Sequence, residues 1–144
     1  MRIAIASDHG GFELKGILVA HLAGLGHEVI DLGTDGPDSV DYPVYGKKCA
    51  ECVAGGTADK GIVICGTGIG VSIAANKVRG IRCALVTSDV MAELASDHND
   101  ANMIALGGRT TTPDEAKRWS EIWLATPFSR GERHERRVAL LNEM

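Results

Sequence analysis

Aromatic residues are scarce: two Trp, two Tyr and two Phe, or 4% of 144 residues. So few exclude a base-stacking surface, which is built from aromatic platforms. A basic excess is also missing. Lys and Arg number 15 against 19 Asp and Glu, a formal charge of −4 with a pI of about 5.7, which is the wrong sign for a dedicated nucleic-acid binder. No stretch nears the ~18 apolar residues of a membrane helix. The N-terminal MRIAIASDHGG is too short in apolar residues for the core of a secretory signal. Cysteine is limited to Cys49, Cys52, Cys65 and Cys83, without the density of a disulfide framework. The expectation is a reduced, cytoplasmic chain that contacts neither membrane nor nucleic acid.

Glycine is abundant, at 18 of 144 residues, nearly twice the usual ~7%. With 44% hydrophobic residues and a length typical of one domain, the chain reads as a single globular unit over 1–144. Its glycines imply tight turns and close backbone approaches, where anions are often held.

Short apolar runs alternate with helical periods. Strands are expected at Arg2–Ala6, His27–Leu32, Gly61–Cys65, Arg82–Val86 and Asn102–Leu106. Between and after them, the periodicity predicts helices over Phe12–Leu25, from near Pro43 to Gly55, from the glycine loop to Lys77, from a Ser88 or Asp89 cap onward, over Pro113–Ala125 and over Arg133–Leu141. Strand–helix repeats of this kind pair in parallel with right-handed crossovers. The fold class is α/β: a three-layer α/β/α Rossmann-like domain with a five-stranded parallel sheet, whose ligands belong at the carboxyl ends of the strands.

Chemistry-bearing residues gather after the strands. Asp8 is a natural helix cap; His9 beside it, ahead of Gly10 and Gly11, suits an anion at a helix N-terminus. The third strand runs into Cys65-Gly66-Thr67-Gly68-Ile69-Gly70. Its spacing is not the dinucleotide GxGxxG and it lacks GK[ST], which leaves a glycine loop whose amides can surround an oxyanion. A strand-ending Cys is ordinarily a small apolar residue, but at a helix N-terminus a thiol ionises more readily and can act as nucleophile or base. Cys49 and Cys52 form a CxxC inside a helix with no second pair, and are read as packing residues like Cys83. His21 and His27 are read as surface or helix-end residues. Ser96-Asp97-His98-Asn99-Asp100-Ala101-Asn102 is too polar for solubility alone, and His98 suits proton transfer near neutrality. Arg109 follows the fifth strand. In the C-terminal charge run, Arg133 and Arg137 stand i, i+4 on one helix face, where two guanidinium forks can clamp a phosphate.

Taken together, SDHGG, DYP at Asp41–Pro43, CGTGIGVSIAANK, HNDANM and GERHERRV resemble, in order and spacing along the whole chain, the ribose-5-phosphate isomerase B and galactose-6-phosphate isomerase family. The resemblance implies one sugar-phosphate isomerase domain that interconverts D-ribose 5-phosphate and D-ribulose 5-phosphate, in pentose phosphate metabolism, through a cis-enediolate without metal or cofactor. It implies Cys65 as the base between C1 and C2, and His98 as the ring opener assisted by Asp8. Thr67 and the amides of Gly66, Gly68, Ile69 and Gly70 would form the anion hole. Tyr42 and Asn99 would contact the sugar, and His9, Arg109, Arg133 and Arg137 the phosphate. A branch of the family carries a Glu base where this chain has Val71, so the chain resembles the cysteine branch. The resemblance also implies a homodimer, or a tetramer, with sites shared between subunits. A six-carbon substrate (allose or galactose 6-phosphate), a non-catalytic sugar-phosphate sensor and a thiol-redox protein remain as alternatives.

Overall fold

The computed structural model describes residues 1–144. The chain runs β1 (Arg2–Ser7), a 3-10 turn (His9–Gly11), α1 (Phe12–Gly24), β2 (Glu28–Asp31), α2 (Tyr42–Ala54), β3 (Lys60–Cys65), α3 (Ile69–Asn76), β4 (Cys83–Leu85), α4 (Asp89–Asp97), β5 (Met103–Gly107), α5 (Pro113–Ala125) and α6 (Glu132–Asn142). The strands form one sheet in the order β2-β1-β3-β5-β4, and every pair is parallel. The expected α/β class and five-stranded parallel sheet are both present.

Residues two apart in a strand share a face, and here the faces differ in size. Ile3, Ile5, Ile62, Ile64, Ile104 and Leu106 pack under α1, α4 and α5, around Leu18, Leu22, Ala92, Trp119 and Trp123. Ala4, Ala6, Val63, Cys65 and Ala105 lie on the other face, against Cys49, Ala50 and Val53 of α2 and Val71 and Ala75 of α3. Small strand residues let α2 and α3 sit close to the sheet. Both cysteines of the α2 CxxC follow from this packing. Cys49 is fully buried, its thiol donates to the Ile62 carbonyl at 3.7 Å, and burial pushes its ionisation well above the ordinary thiol value.

Local signals set the helix ends. Thr112 and Glu115 close a capping box on α5, with Pro113 in its first turn. Ser88, not Asp89, caps α4, its hydroxyl accepting from Met91 N at 3.1 Å. Asp89 instead accepts from Trp119 Nε1 at 2.9 Å and pairs with Arg118.

Three details depart from the sequence reading. β4 is shorter than the expected Arg82–Val86, because the Arg82 amide leaves the ladder to donate to Asn102 Oδ1 at 2.8 Å. Cys83 opens that strand rather than sitting mid-strand, and burial raises its thiol to about 12. His21, read as a surface or helix-end residue, does lie in the last turn of α1 but is half-buried, with Nε2 3.4 Å from the Glu121 carboxylate of α5. An ion pair the sequence did not announce joins α1 to β2: the buried Lys15 ammonium reaches both oxygens of Asp31 at 2.7 Å.

Candidate active site

Parallel register brings the ends of β1, β3 and β5 together, with Ser7 opposite Ile64 and Cys65 opposite Gly107. Three loops leave this edge side by side. The Asp8 amide donates to Ile64 O at 3.2 Å, Gly108 N to Cys65 O at 2.8 Å and Arg109 N to Gly66 O at 2.9 Å. These bonds lock the loop after β3 between its two neighbours.

Asp8 is the cap the sequence suggested: Oδ1 accepts from Gly10 N at 2.8 Å and Gly11 N at 3.3 Å. Both bonds fall on one oxygen, which leaves Oδ2 for other work. His9 accepts at Nδ1 from the amide of Val40 at 3.2 Å. Cys65 ends β3 at 5% exposure. Beyond it, Gly68 adopts φ +79, a left-handed conformation that side chains disfavour; a Cβ there would also stand 2.9 Å from the Leu106 carbonyl carbon. That turn aims the chain into α3 and leaves the amides of Gly66, Thr67, Gly68, Gly70 and Val71 without a backbone acceptor, the donor set of a helix N-terminus. The Ile69 amide, by contrast, is taken by Thr67 Oγ1 at 3.3 Å. Tyr42, the first residue of α2, lays its ring on Gly70, where a Cβ would stand 2.5 Å from Cε1. The Arg109 guanidinium lies against Gly66 and forms no ion pair.

His98, Asn99, Arg133 and Arg137 are elsewhere. α4 starts past the carboxyl end of β4 and runs back, so His98, its C-terminal cap, lies at the amino end of the sheet. Cys65 stands at the opposite end, level with the last residue of β5. Hydrogen bonds from Ser129 N and Oγ to Asp97 O, at 3.1 and 2.8 Å, tie the start of α6 to this corner. His98 stacks on His134 of α6, ring centroids 4.2 Å apart and planes at 15°, with His98 Nε2 3.3 Å from Asp97 Oδ2. Lost solvation, then the charges of His98, Arg133 and Arg137, hold His134 below the usual imidazole value. Neither Arg133 nor Arg137 has an ion-pair partner, whereas Arg2, Arg82, Arg118 and Arg130 all do.

The candidates thus form two groups. Asp8, His9, Tyr42, Cys65, the Gly66–Gly70 loop and Arg109 meet at the carboxyl edge; His98, Asn99, Arg133 and Arg137 meet at the amino edge. Asn102, read with His98 as part of a polar site, is a structural latch: its amide group accepts from Arg82 N and donates to Gly80 O at 2.9 Å. Two contributors went unremarked in the sequence. His134 sits inside the charge run, next to Arg133, so its position was a usable signal. Val40 acts through its backbone and carries no signal at all. A cavity of about 620 Å³ between Asn76, Arg79, Asn99, Leu141 and Met144 lies by the β4 edge, away from Cys65.

Fold and site define a parallel α/β/α domain that carries a thiol and open amide donors at the carboxyl edge of its sheet, and in which Arg109, Arg133 and Arg137 form no ion pair. The chain belongs to the Ribose/Galactose Isomerase family, which it matches over residues 3–141. It is 47% identical over 137 residues to ribose-5-phosphate isomerase B of Escherichia coli (strain K12), covering 95% of this chain and 91% of that protein. Among solved structures, ribose-5-phosphate isomerase B of Clostridium thermocellum matches with a TM-score of 0.97 at 52% identity, over 99% of this chain and 96% of that one. The ribose 5-phosphate isomerase of Thermotoga maritima matches at 0.96 and 49%, over 99% and 98%.

Proposed function

We propose that this protein is an aldose–ketose isomerase that interconverts D-ribose 5-phosphate and D-ribulose 5-phosphate. The observation that carries the reading is Cys65 at the mouth of a loop of open amides, in a chain similar along nearly its full length to enzymes named ribose-5-phosphate isomerase B.

His98 and Asp8 open the furanose, moving a proton from the C1 hydroxyl to the ring oxygen. The Cys65 thiolate takes the C2 proton, and charge passes to the C1 oxygen to give a cis-enediolate. Open amides of the Gly66–Gly70 loop, with Thr67, stabilise that charge as it develops, the largest single contribution in reactions of this type. Cys65 returns its proton to C1 while the O2 proton passes to O1, which yields the ketose. His9 and Arg109, with Arg133 and Arg137, hold the phosphate; Tyr42 and Asn99 contact the sugar.

The separation of the two groups supports a homodimer in which each site takes Cys65 from one chain and His98, Arg133 and Arg137 from the other. Exposed apolar side chains beside the loop, Ile69 and Ile73 on α3 and Val90 and Met91 on α4, supply a surface for the second copy. Four free thiols support work in a reducing cytoplasm.

Kinetics on ribose 5-phosphate and allose 6-phosphate side by side test the reading. Ribose 5-phosphate is expected to win in kcat/KM by roughly tenfold or more, the discrimination one added carbon usually allows. A reversed preference moves the assignment to a six-carbon substrate, and no turnover of either overturns it.

A further inference from the structure

The segment between β2 and α2, residues 32–41, holds no catalytic side chain, yet it makes one contact with the phosphate group of residues. The Val40 amide donates to His9 Nδ1 at 3.2 Å, across 31 positions of sequence. Only a ring nitrogen with a free lone pair can accept an N–H, so this bond fixes both the ring flip and the tautomer: the single proton must sit on Nε2. We propose that the Val40 backbone amide is a positioning group that locks His9 as the Nε2–H tautomer, so that His9 meets the substrate's phosphate as a neutral, pre-aimed donor while charge comes from the arginines.

The consequence for binding is concrete. A free imidazole divides itself between two tautomers and two ring flips, and only one combination offers an N–H in the right place. A bond made before the ligand arrives removes that choice and its entropy cost. The same segment ends at Asp41 and leads directly into Tyr42 of α2, whose ring rests on Gly70. One stretch of backbone therefore orients the phosphate donor at one end and braces the anion-hole helix at the other.

The role of His9 toward phosphate rests on the isomerase reading, whereas its tautomer does not, so the two can fail separately. Long-range ¹H–¹⁵N correlation spectra of the whole wild-type protein should show the His9 proton on Nε2; a proton on Nδ1 overturns the proposal. Val40→Pro removes the donor and should convert His9 to a mixed tautomer, weakening inorganic phosphate as a competitive inhibitor by up to about fourfold, the loss expected when one ring state in roughly four is competent. Val40→Ala keeps the amide and should stay within about twofold of wild type. If Val40→Pro leaves tautomer and phosphate inhibition unchanged, Val40 has no such role; if it does not fold, the wild-type spectrum decides alone. Failure of the isomerase assay with a clean Nε2–H signal would discard the reading of function and leave the lock standing.

Discussion

Cys65 combines features that rarely coincide, being nearly buried at a strand end while the chain directly after it carries amides that have no acceptor of their own. Removing the thiol should therefore separate chemistry from binding. Cys65→Ala is expected to lower kcat by about 10³ or more, within the span of general-base effects, while the inhibition constant of inorganic phosphate stays near wild type; unchanged turnover would remove Cys65 from its role. A second residue-scale prediction concerns acid. The Arg2 side chain and amide hold the Asp59 carboxyl at about 2, below its unfolded value near ~3.9. A depressed carboxylate stabilises the fold above the unfolded value, and that contribution is lost as pH falls from about 4 through about 2. NMR titration should place the Asp59 midpoint at about 2, and a midpoint near 4 would contradict the pair. At this scale the sequence was legible in position: the strand pattern put Asp8, Cys65 and Arg109 at the carboxyl edge of the sheet, and the structure gathers them there. It was not legible where one partner is backbone, as with Val40, because any residue type supplies an amide.

Elements were readable to the extent that their ends carry side-chain signals. Thr112, Pro113 and Glu115 spell the start of α5, and the structure closes that capping box. Thr112→Ala should cost about 1 kcal/mol, read as a lowered urea midpoint at constant slope. The start of β4 was misjudged because the Arg82 amide bonds to the Asn102 side chain, and a hydropathy pattern does not register hydrogen-bond partners. The glycine loop is where element and function meet. Gly68→Ala must adopt φ +79, a cost of about 1–2 kcal/mol, and must also push against the Leu106 backbone. Both stability and kcat should fall, since the open amides tilt with the turn; full activity with an unchanged melting temperature would show that the loop does not depend on this conformation.

On the scale of the molecule, layer order and sheet direction followed from alternation alone, but the division of the site did not. His98 reads as one more polar residue beside a strand, and only the path of α4 shows that it stands at the far edge from Cys65. If each site spans two chains, defects should complement. Cys65→Ala and His98→Asn, each inactive alone, should recover about a quarter of wild-type activity when unfolded together and refolded as a mixture, because half of the dimers are mixed and each holds one intact site. No recovery would place the whole site within one chain.

With each site shared by two chains, the same separation would make catalysis a reporter of encounter. A lone chain holds Cys65 at one edge of its sheet and His98 at the other, so on the two-chain reading it has no complete site to dilute. Below the dissociation constant of the pair, the rate should therefore fall with the square of chain concentration rather than in proportion to it. Halving the amount of protein would then remove three-quarters of the flux, which makes supply of the chain itself a steep control on the reaction.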